Sequence, residues 1–188
     1  MGIEPTTLAF LDTHVPRPQR MAELGNQHCH GIPGVAVAKH LFTARGVEHH
    51  SLDLNGQDEA RRVDFTHPTG VDDLLGRCDV VTDFGTSEHA HDWYAVQRFV
   101  WSLLTPTGWY VGALPETGSW PGHGYWWFRE ETFRALGDFY RGARPRHRHA
   151  SMHNTTDGWS WYFALQRTPE SAFPDRTNFL WWVPTWPR

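Results

Sequence analysis

Short apolar runs that stop on an acid or a glycine alternate with helix-period stretches along most of this chain. The first run, Arg20-Met21-Ala22-Glu23-Leu24, halts at Gly25-Asn26-Gln27 and reads as a buried strand over 20–24 that breaks into a glycine turn. A polar loop leads to Pro33, which suits a first helical residue because its missing N–H would be unpaired there. Ala38, Leu41, Phe42 and Arg45 continue at helical spacing, and Gly46 closes that helix as a C-cap. Residues 47–53 form a second strand, too polar for the centre of a parallel sheet and so placed near an edge. Residues 62–65 are a stub of a strand, His67-Pro68-Thr69-Gly70 is a breaker, and 71–75 forms a short helix.

Cys78-Asp79-Val80-Val81-Thr82-Asp83-Phe84-Gly85 is the clearest strand-to-turn signal. A helix follows from about 90, with Val96, Phe99, Val100, Leu103 and Leu104 on one stripe, as in a helix laid on a sheet. Thr105-Pro106-Thr107-Gly108 stops it, and 109–114 reads as another buried strand. Beyond a glycine-rich connection, a helix from about 129 carries Glu130 and Glu131 in its first turn, where the helix dipole favours acids, and buries Phe133, Leu136 and Tyr140. The pattern then changes to two strands, 147–153 and 159–167, around the hairpin signal Thr156-Asp157-Gly158. Repeated strand–helix units predict an α/β fold, a doubly wound, mostly parallel sheet with helices on both faces, here closed by an antiparallel hairpin. Proline-punctuated segments flank it: an N-terminal arm over 1–18 with one short helical turn near Leu8–Leu11, and an irregular Trp/Pro-rich tail over 168–188.

Composition narrows the function class. The 188 residues suit a single core, with 39% hydrophobic and 20% charged positions. A formal charge of −4 gives no broad basic footprint, which argues against a nucleic-acid binder. The local exception, Arg141-Gly-Ala-Arg144-Pro-Arg146-His-Arg148-His149, reads as a solvated loop before a phosphate site. Two cysteines, Cys29 and Cys78, make no disulfide framework and point to a reducing compartment. With no signal-like start and no apolar run long enough to span a bilayer, the expected location is cytoplasmic. The 11 tryptophans crowd toward the C-terminal half; they read first as packing, and second as an interface for a homo-oligomer or larger assembly.

Ligands of open α/β sheets bind beyond the carboxyl ends of the strands. Those ends carry Glu23 and Gly25, Asp53 and Asn55, Asp64 and Phe65, Asp83 through His89, and Glu116. One acid at a strand end is ordinarily a cap or turn residue; the recurrence is what carries information. Asp53 closes the second strand, where a carboxylate, acceptor-only, matches the two hydroxyl donors of a ribose.

On these residues the chain resembles the class I S-adenosylmethionine-dependent methyltransferases, over about 19–167. The matching stretches are Glu23-Leu24-Gly25-Asn26 for the first motif, Leu52-Asp53-Leu54-Asn55-Gly56 for the ribose turn and Val63-Asp64-Phe65 beside the adenine. Asp79 through His89, with Asp83 at its centre, resembles the fourth-strand motif, and Thr105-Pro106-Thr107-Gly108 the turn before strand five. The resemblance implies a Rossmann-like sheet ending in an antiparallel hairpin, and S-adenosylmethionine as cofactor. It places Glu23 and Gly25 at the amino-acid end of that cofactor, Asp53 and Asn55 at the ribose, and Asp64 and Phe65 at the adenine, with Asn26 and Asp83 as further cofactor-binding residues. Only the first glycine of the family's Gly-x-Gly-x-Gly is present, in Gly25-Asn26-Gln27-His28-Cys29.

Methyl transfer is an in-line displacement, so a methyltransferase positions its acceptor and removes a proton. Candidates for that work are Glu88, His89, Glu116 and His123, set against a plain role as solvated loop side chains. The segment 114–125, with Trp120 and Tyr125 as stacking faces, is placed as a lid or substrate loop. The 13 histidines include the pairs His28/His30, His49-His50, His89/His91 and His147/His149, but no paired-Cys or His-Glu-x-x-His spacing specifies a metal, and scattered surface histidines are the expectation. The reading is thus a methyltransferase for an unidentified small-molecule acceptor. The competing readings are a methyltransferase-like binding or structural module and, ranked lower, an NAD-linked oxidoreductase, which the closing hairpin does not suit.

Overall fold

The computed structural model describes residues 2–15, 17–140, 148–151 and 158–187. The basic stretch from Arg141 to His147 and the Thr156-Asp157 turn lie outside the described residues.

The first strand is β1, Arg20–Leu24, whose last four residues are buried. It lies parallel to β2 (Glu48–Asp53) on one side and to β4 (Cys78–Phe84) on the other. Beyond β2, among the described residues, stands only β3, the two residues Arg61–Arg62, which explains why β2 tolerates polar residues. Beyond β4 come β5 (Leu104–Pro115), parallel, and then β8 (Gly158–Gln166) and β7 (Arg148–Ser151), both antiparallel to their neighbours. The seven-stranded order is β3-β2-β1-β4-β5-β8-β7, with the predicted hairpin at the far edge. A two-residue β6 (Trp126–Trp127) pairs separately with β9 (Trp186–Pro187).

Side chains alternate across a strand, and the core divides accordingly. Ala22, Leu24, Val81, Tyr110, Leu114, Phe163 and Leu165 face one layer, with α3 (Trp93–Leu103) and α4 (Glu130–Tyr140) packed on it. Met21, Val80, Phe84, Val111, Ala113, Tyr162 and Ala164 face the other, covered by α1 (Pro5–His14) and α2 (Ala38–Ala44). Asp92 caps α3 by accepting the Ala95 N–H at 3.1 Å.

Four expectations change. Leu104 and the predicted stop Thr105-Pro106-Thr107-Gly108 lie inside β5, which begins directly where α3 ends at Leu103. The N-terminal segment holds a ten-residue helix, not a single turn, and contributes Ile3 and Leu11 to the core. The helix placed at Pro33 begins only at Ala38. Residues 28–37 instead form an extended excursion, tied by bridges between Ile3 and Cys29 and between His28 and Val37. The tail is less irregular than its prolines imply: α5 (Arg176–Trp182) buries Phe179 against Trp93 and Tyr94, while Trp181 stays 81% exposed. Among the described residues no helix is long and apolar enough to cross a membrane.

Candidate functional site

Strand β1 delivers the chain to Gly25, whose φ of +85° is a left-handed conformation that glycine adopts without cost. A β-carbon there would stand 2.5 Å from Thr86 Oγ1 and 2.7 Å from Gln27 Nε2, so the turn is closed as well as left-handed. Gln27 fills the space that a second glycine would leave open. Its Nε2 donates to Leu24 O at 3.1 Å and to Thr86 Oγ1 at 2.7 Å, and Thr86 Oγ1 in turn donates to Leu24 O at 2.9 Å. The ends of β1 and β4 are thereby joined. Gln27 O accepts the Ala38 N–H at 2.9 Å, so α2 starts beside this turn and the excursion between them loops away from it.

Around Gly25 the sheet opens a cleft of about 620 Å³ at the carboxyl ends of β1, β2 and β4. Gly25, Asn26 and Gln27 line it from β1, Asp53 and Leu54 from β2, and Gly85 and Thr86 from β4; Asp64 through His67 and His89 through Asp92 complete it. This is the strand-order reversal at which open α/β sheets bind ligands.

Asp53 ties the floor together. Its Oδ2 accepts the Asn26 N–H at 2.7 Å and its Oδ1 accepts the Asn55 N–H at 2.8 Å. Asn26 is fixed further by donating through Nδ2 to Asp58 Oδ2 at 2.7 Å. On the next wall, Asp64 Oδ1 accepts both the Thr66 N–H (2.8 Å) and the Thr66 hydroxyl (2.7 Å), which hold its carboxyl below the usual range and keep it ionised. Phe65 is buried and stacked 6.1 Å from Phe99.

Of the residues singled out from the sequence for the cofactor, Gly25, Asn26, Asp53, Asp64 and Phe65 line the cleft. Glu23, Asn55 and Asp83 stand outside that lining. Glu23 shares a sheet face with Met21 and is fully buried under the turn, where its Oε1 accepts the Gln27 N–H at 3.0 Å and the Ser51 hydroxyl at 3.2 Å. Its Oε2 lies 3.3 Å from His49 Nε2. Asp83, on the opposite face, braces the second turn: Oδ1 accepts the N–H groups of Thr86 (3.2 Å) and Ser87 (3.1 Å), and Oδ2 accepts the Tyr110 hydroxyl at 2.8 Å. Burial, with the charge of Glu88 next, pushes the Asp83 carboxyl up to about 6. Asn55 is exposed and folded into its own turn, accepting the Gln57 N–H at 2.8 Å.

Among the four acceptor-side candidates, His89 lines the cleft, while Glu88 and His123 gather around it. Glu88 is fully buried in the one-turn 3-10 helix Ser87–His89, with His123 Nε2 at 3.4 Å and His89 Nε2 at 3.8 Å from its Oε1. Glu116 is not part of that group: its backbone pairs with Phe128 and Trp159, where it continues the sheet. The loop that carries His123 is anchored rather than loose, since Tyr125 N–H donates to Glu88 O at 2.6 Å and Trp126 Nε1 to Ala90 O at 2.6 Å.

Sequence reasoning missed Gln27, Thr66, His67, Ala90, His91 and Asp92 as lining residues. Asp92 had a readable signal, since it precedes the apolar helix stripe as an N-cap does. Arg176 from the tail also pairs with it, Nη2 to Oδ2 at 2.6 Å, and lies over the Tyr94 ring, so the tail braces the cleft rim.

No family model and no curated protein matches the chain. Solved structures do. A 1,6-didemethyltoxoflavin-N1-methyltransferase of Burkholderia thailandensis, solved with 1,6-didemethyltoxoflavin and S-adenosylhomocysteine, superimposes with a TM-score of 0.60 at 16% identity, over 87% of this chain and 77% of that one. A SAM-dependent methyltransferase from Archaeoglobus fulgidus gives 0.61 at 14% identity, over 85% and 92%. A phosphoethanolamine N-methyltransferase of Haemonchus contortus, with S-adenosylhomocysteine bound, gives 0.60 at 15% identity, over 87% of this chain and 52% of that longer one. Strand order, closing hairpin and these likenesses agree: the chain has the class I S-adenosylmethionine-dependent methyltransferase fold.

Proposed function

We propose that this chain is an S-adenosylmethionine-dependent methyltransferase acting on a small-molecule acceptor. The observation that carries the reading is Asp53, a carboxylate at the end of β2 that lines the cleft beside the left-handed Gly25 turn. Each of its oxygens accepts one backbone N–H; each retains lone-pair capacity for a hydroxyl donor, which is what a ribose presents. The surroundings fit the rest of such a cofactor. Asp64 and Phe65 offer an acceptor and an apolar wall to an adenine, and the Gly25–Gln27 backbone borders the amino-acid end. Glu23 and Asp83 act through the turns they brace. Structural neighbours with S-adenosylhomocysteine bound add weight to this choice of cofactor.

Bound S-adenosylmethionine supplies a methyl group on a sulfonium, open to in-line attack. The protein's share is then to hold the acceptor in line and to exclude water. That work falls to the side of the cleft where His89 stands with Glu88 and His123, under the pinned loop 115–124. The cleft of about 620 Å³ falls within the range of small-molecule sites, as its assignment to the cofactor requires, and neighbours solved with 1,6-didemethyltoxoflavin and phosphomonomethylethanolamine support a small acceptor.

The test is incubation of the protein with methyl-labelled S-adenosylmethionine and a low-molecular-mass metabolite extract. Label in a small-molecule fraction, dependent on the protein, is the expected result. Label confined to precipitated macromolecules, or none, would count against it. A non-catalytic binding module, the competing reading, would bind S-adenosylhomocysteine and transfer nothing.

A further inference from the structure

Glu88 stands out among the acids of the described residues. It is fully buried, yet neither carboxylate oxygen takes a hydrogen bond among the described residues. Buried carboxylates are ordinarily hydrogen-bonded, paired or bound to a metal, because an unsatisfied one loses its hydration without replacement. Two imidazole nitrogens face it, His123 Nε2 at 3.4 Å and His89 Nε2 at 3.8 Å, and all three ligand atoms lie within 4.8 Å of one another. The two rings stand edge to face, with centroids 4.5 Å apart.

This convergence is built into the backbone. Gly124, at φ +68°, packs so closely that a β-carbon would sit 2.8 Å from Glu88 O and 2.9 Å from its Cγ. With the Tyr125 N–H bonded to the same carbonyl, the loop brings His123 onto Glu88 from 35 residues further along the chain.

We propose that Glu88, His89 and His123 form a binding site for a divalent transition-metal ion of the zinc, cobalt or ferrous class. Two ligand atoms each about 2.1 Å from one ion, at a near-tetrahedral angle, are about 3.4 Å apart; the Glu88–His123 separation has that value and the Glu88–His89 separation is slightly wider. Two neutral imidazoles and one carboxylate suit such ions better than calcium or magnesium, which take oxygen ligands. Three protein ligands leave a coordination position open, as at catalytic rather than structural sites. Because His89 also lines the cleft, the ion would adjoin it. An imidazole lone pair given to a metal no longer takes a proton, so in this assignment the two histidines are ligands in place of the free base expected from the sequence.

The proposal does not depend on the methyltransferase reading, since metal binding is measured without cofactor. Chelator-stripped full-length protein is titrated with Co²⁺, followed by visible absorption and by metal content after gel filtration. The expected result is one Co²⁺ per chain, displaced by excess Zn²⁺, since imidazole and carboxylate ligands serve both ions. Glu88→Gln and His123→Ala should each weaken binding by at least about tenfold, whereas His40→Ala, on the surface of α2, should bind as the wild type does. If Glu88→Gln fails to fold, His123→Ala, altered on a loop, decides alone. Wild-type protein that retains no Co²⁺, or wild-type affinity in His123→Ala, would overturn the assignment.

Discussion

The carboxylate of Asp53, at the end of β2, accepts the backbone N–H of Asn26, just past the end of β1, at 2.7 Å. The acid assigned to the cofactor ribose therefore also fixes the turn assigned to the cofactor's amino-acid end. Asp53→Ala should remove both effects. S-adenosylhomocysteine affinity should fall roughly ten- to hundredfold, in line with about 1.5–3 kcal/mol for a hydrogen bond to a charged group. Titration calorimetry on wild type and variant measures it; an unchanged affinity would remove Asp53 from the site.

Gly25 is conformationally obligatory. Alanine at φ +85° costs roughly 1–2 kcal/mol in backbone strain alone, and its β-carbon would have to displace Thr86 and Gln27. Gly25→Ala should lower the melting temperature and weaken S-adenosylhomocysteine binding together. By contrast, Gly34→Ala, at a left-handed position with nothing within 4 Å, should show the strain cost without the loss of binding.

Asp83 imposes a pH dependence on stability. Its carboxyl is raised from 3.8 to about 6, so the folded state holds the proton more tightly than the unfolded chain does. The contribution is then fully present below about pH 4 and is lost as pH rises through about 6, by on the order of 2–3 kcal/mol. In denaturant titrations with a chelator present, the stability of wild type relative to Asp83→Asn should fall by that order between about pH 4 and 7.5. A flat difference would contradict the assignment.

The tail is anchored in the folded core by Phe179, with Val183 buried beside it in the same cluster. Phe179 is fully buried against Trp93 and Tyr94, and Phe179→Ala should destabilise by about 3–5 kcal/mol. Trp181, at 81% exposure, should be replaceable by alanine within about 0.5 kcal/mol. Chemical denaturation of the two variants separates these outcomes.

The strands were legible because alternation and apolar runs report burial directly. β1 occupies the predicted residues 20–24, and the acids at strand ends mark where the cleft opens. What escaped was set by distant contacts. Nothing local to Pro33 reveals that 28–37 pairs with Ile3, which postpones the helix to Ala38. The tail's prolines concealed a short helix whose stability comes from Phe179 in the core. Strand parity explains why Glu23 and Asp83 stand outside the cleft lining: each is the penultimate residue of its strand with a buried side chain, so it braces a turn from beneath. The Glu88–His123 convergence spans a loop whose path no spacing rule encodes.

The cleft beside Gly25 and Asp53 is assigned to S-adenosylmethionine despite the reduced glycine motif. Titration calorimetry of the purified protein with S-adenosylhomocysteine decides that assignment. Saturable binding of one ligand per chain, abolished or strongly weakened in Asp53→Ala, is the result predicted here. No binding heat at millimolar ligand, confirmed by equilibrium dialysis, would contradict it.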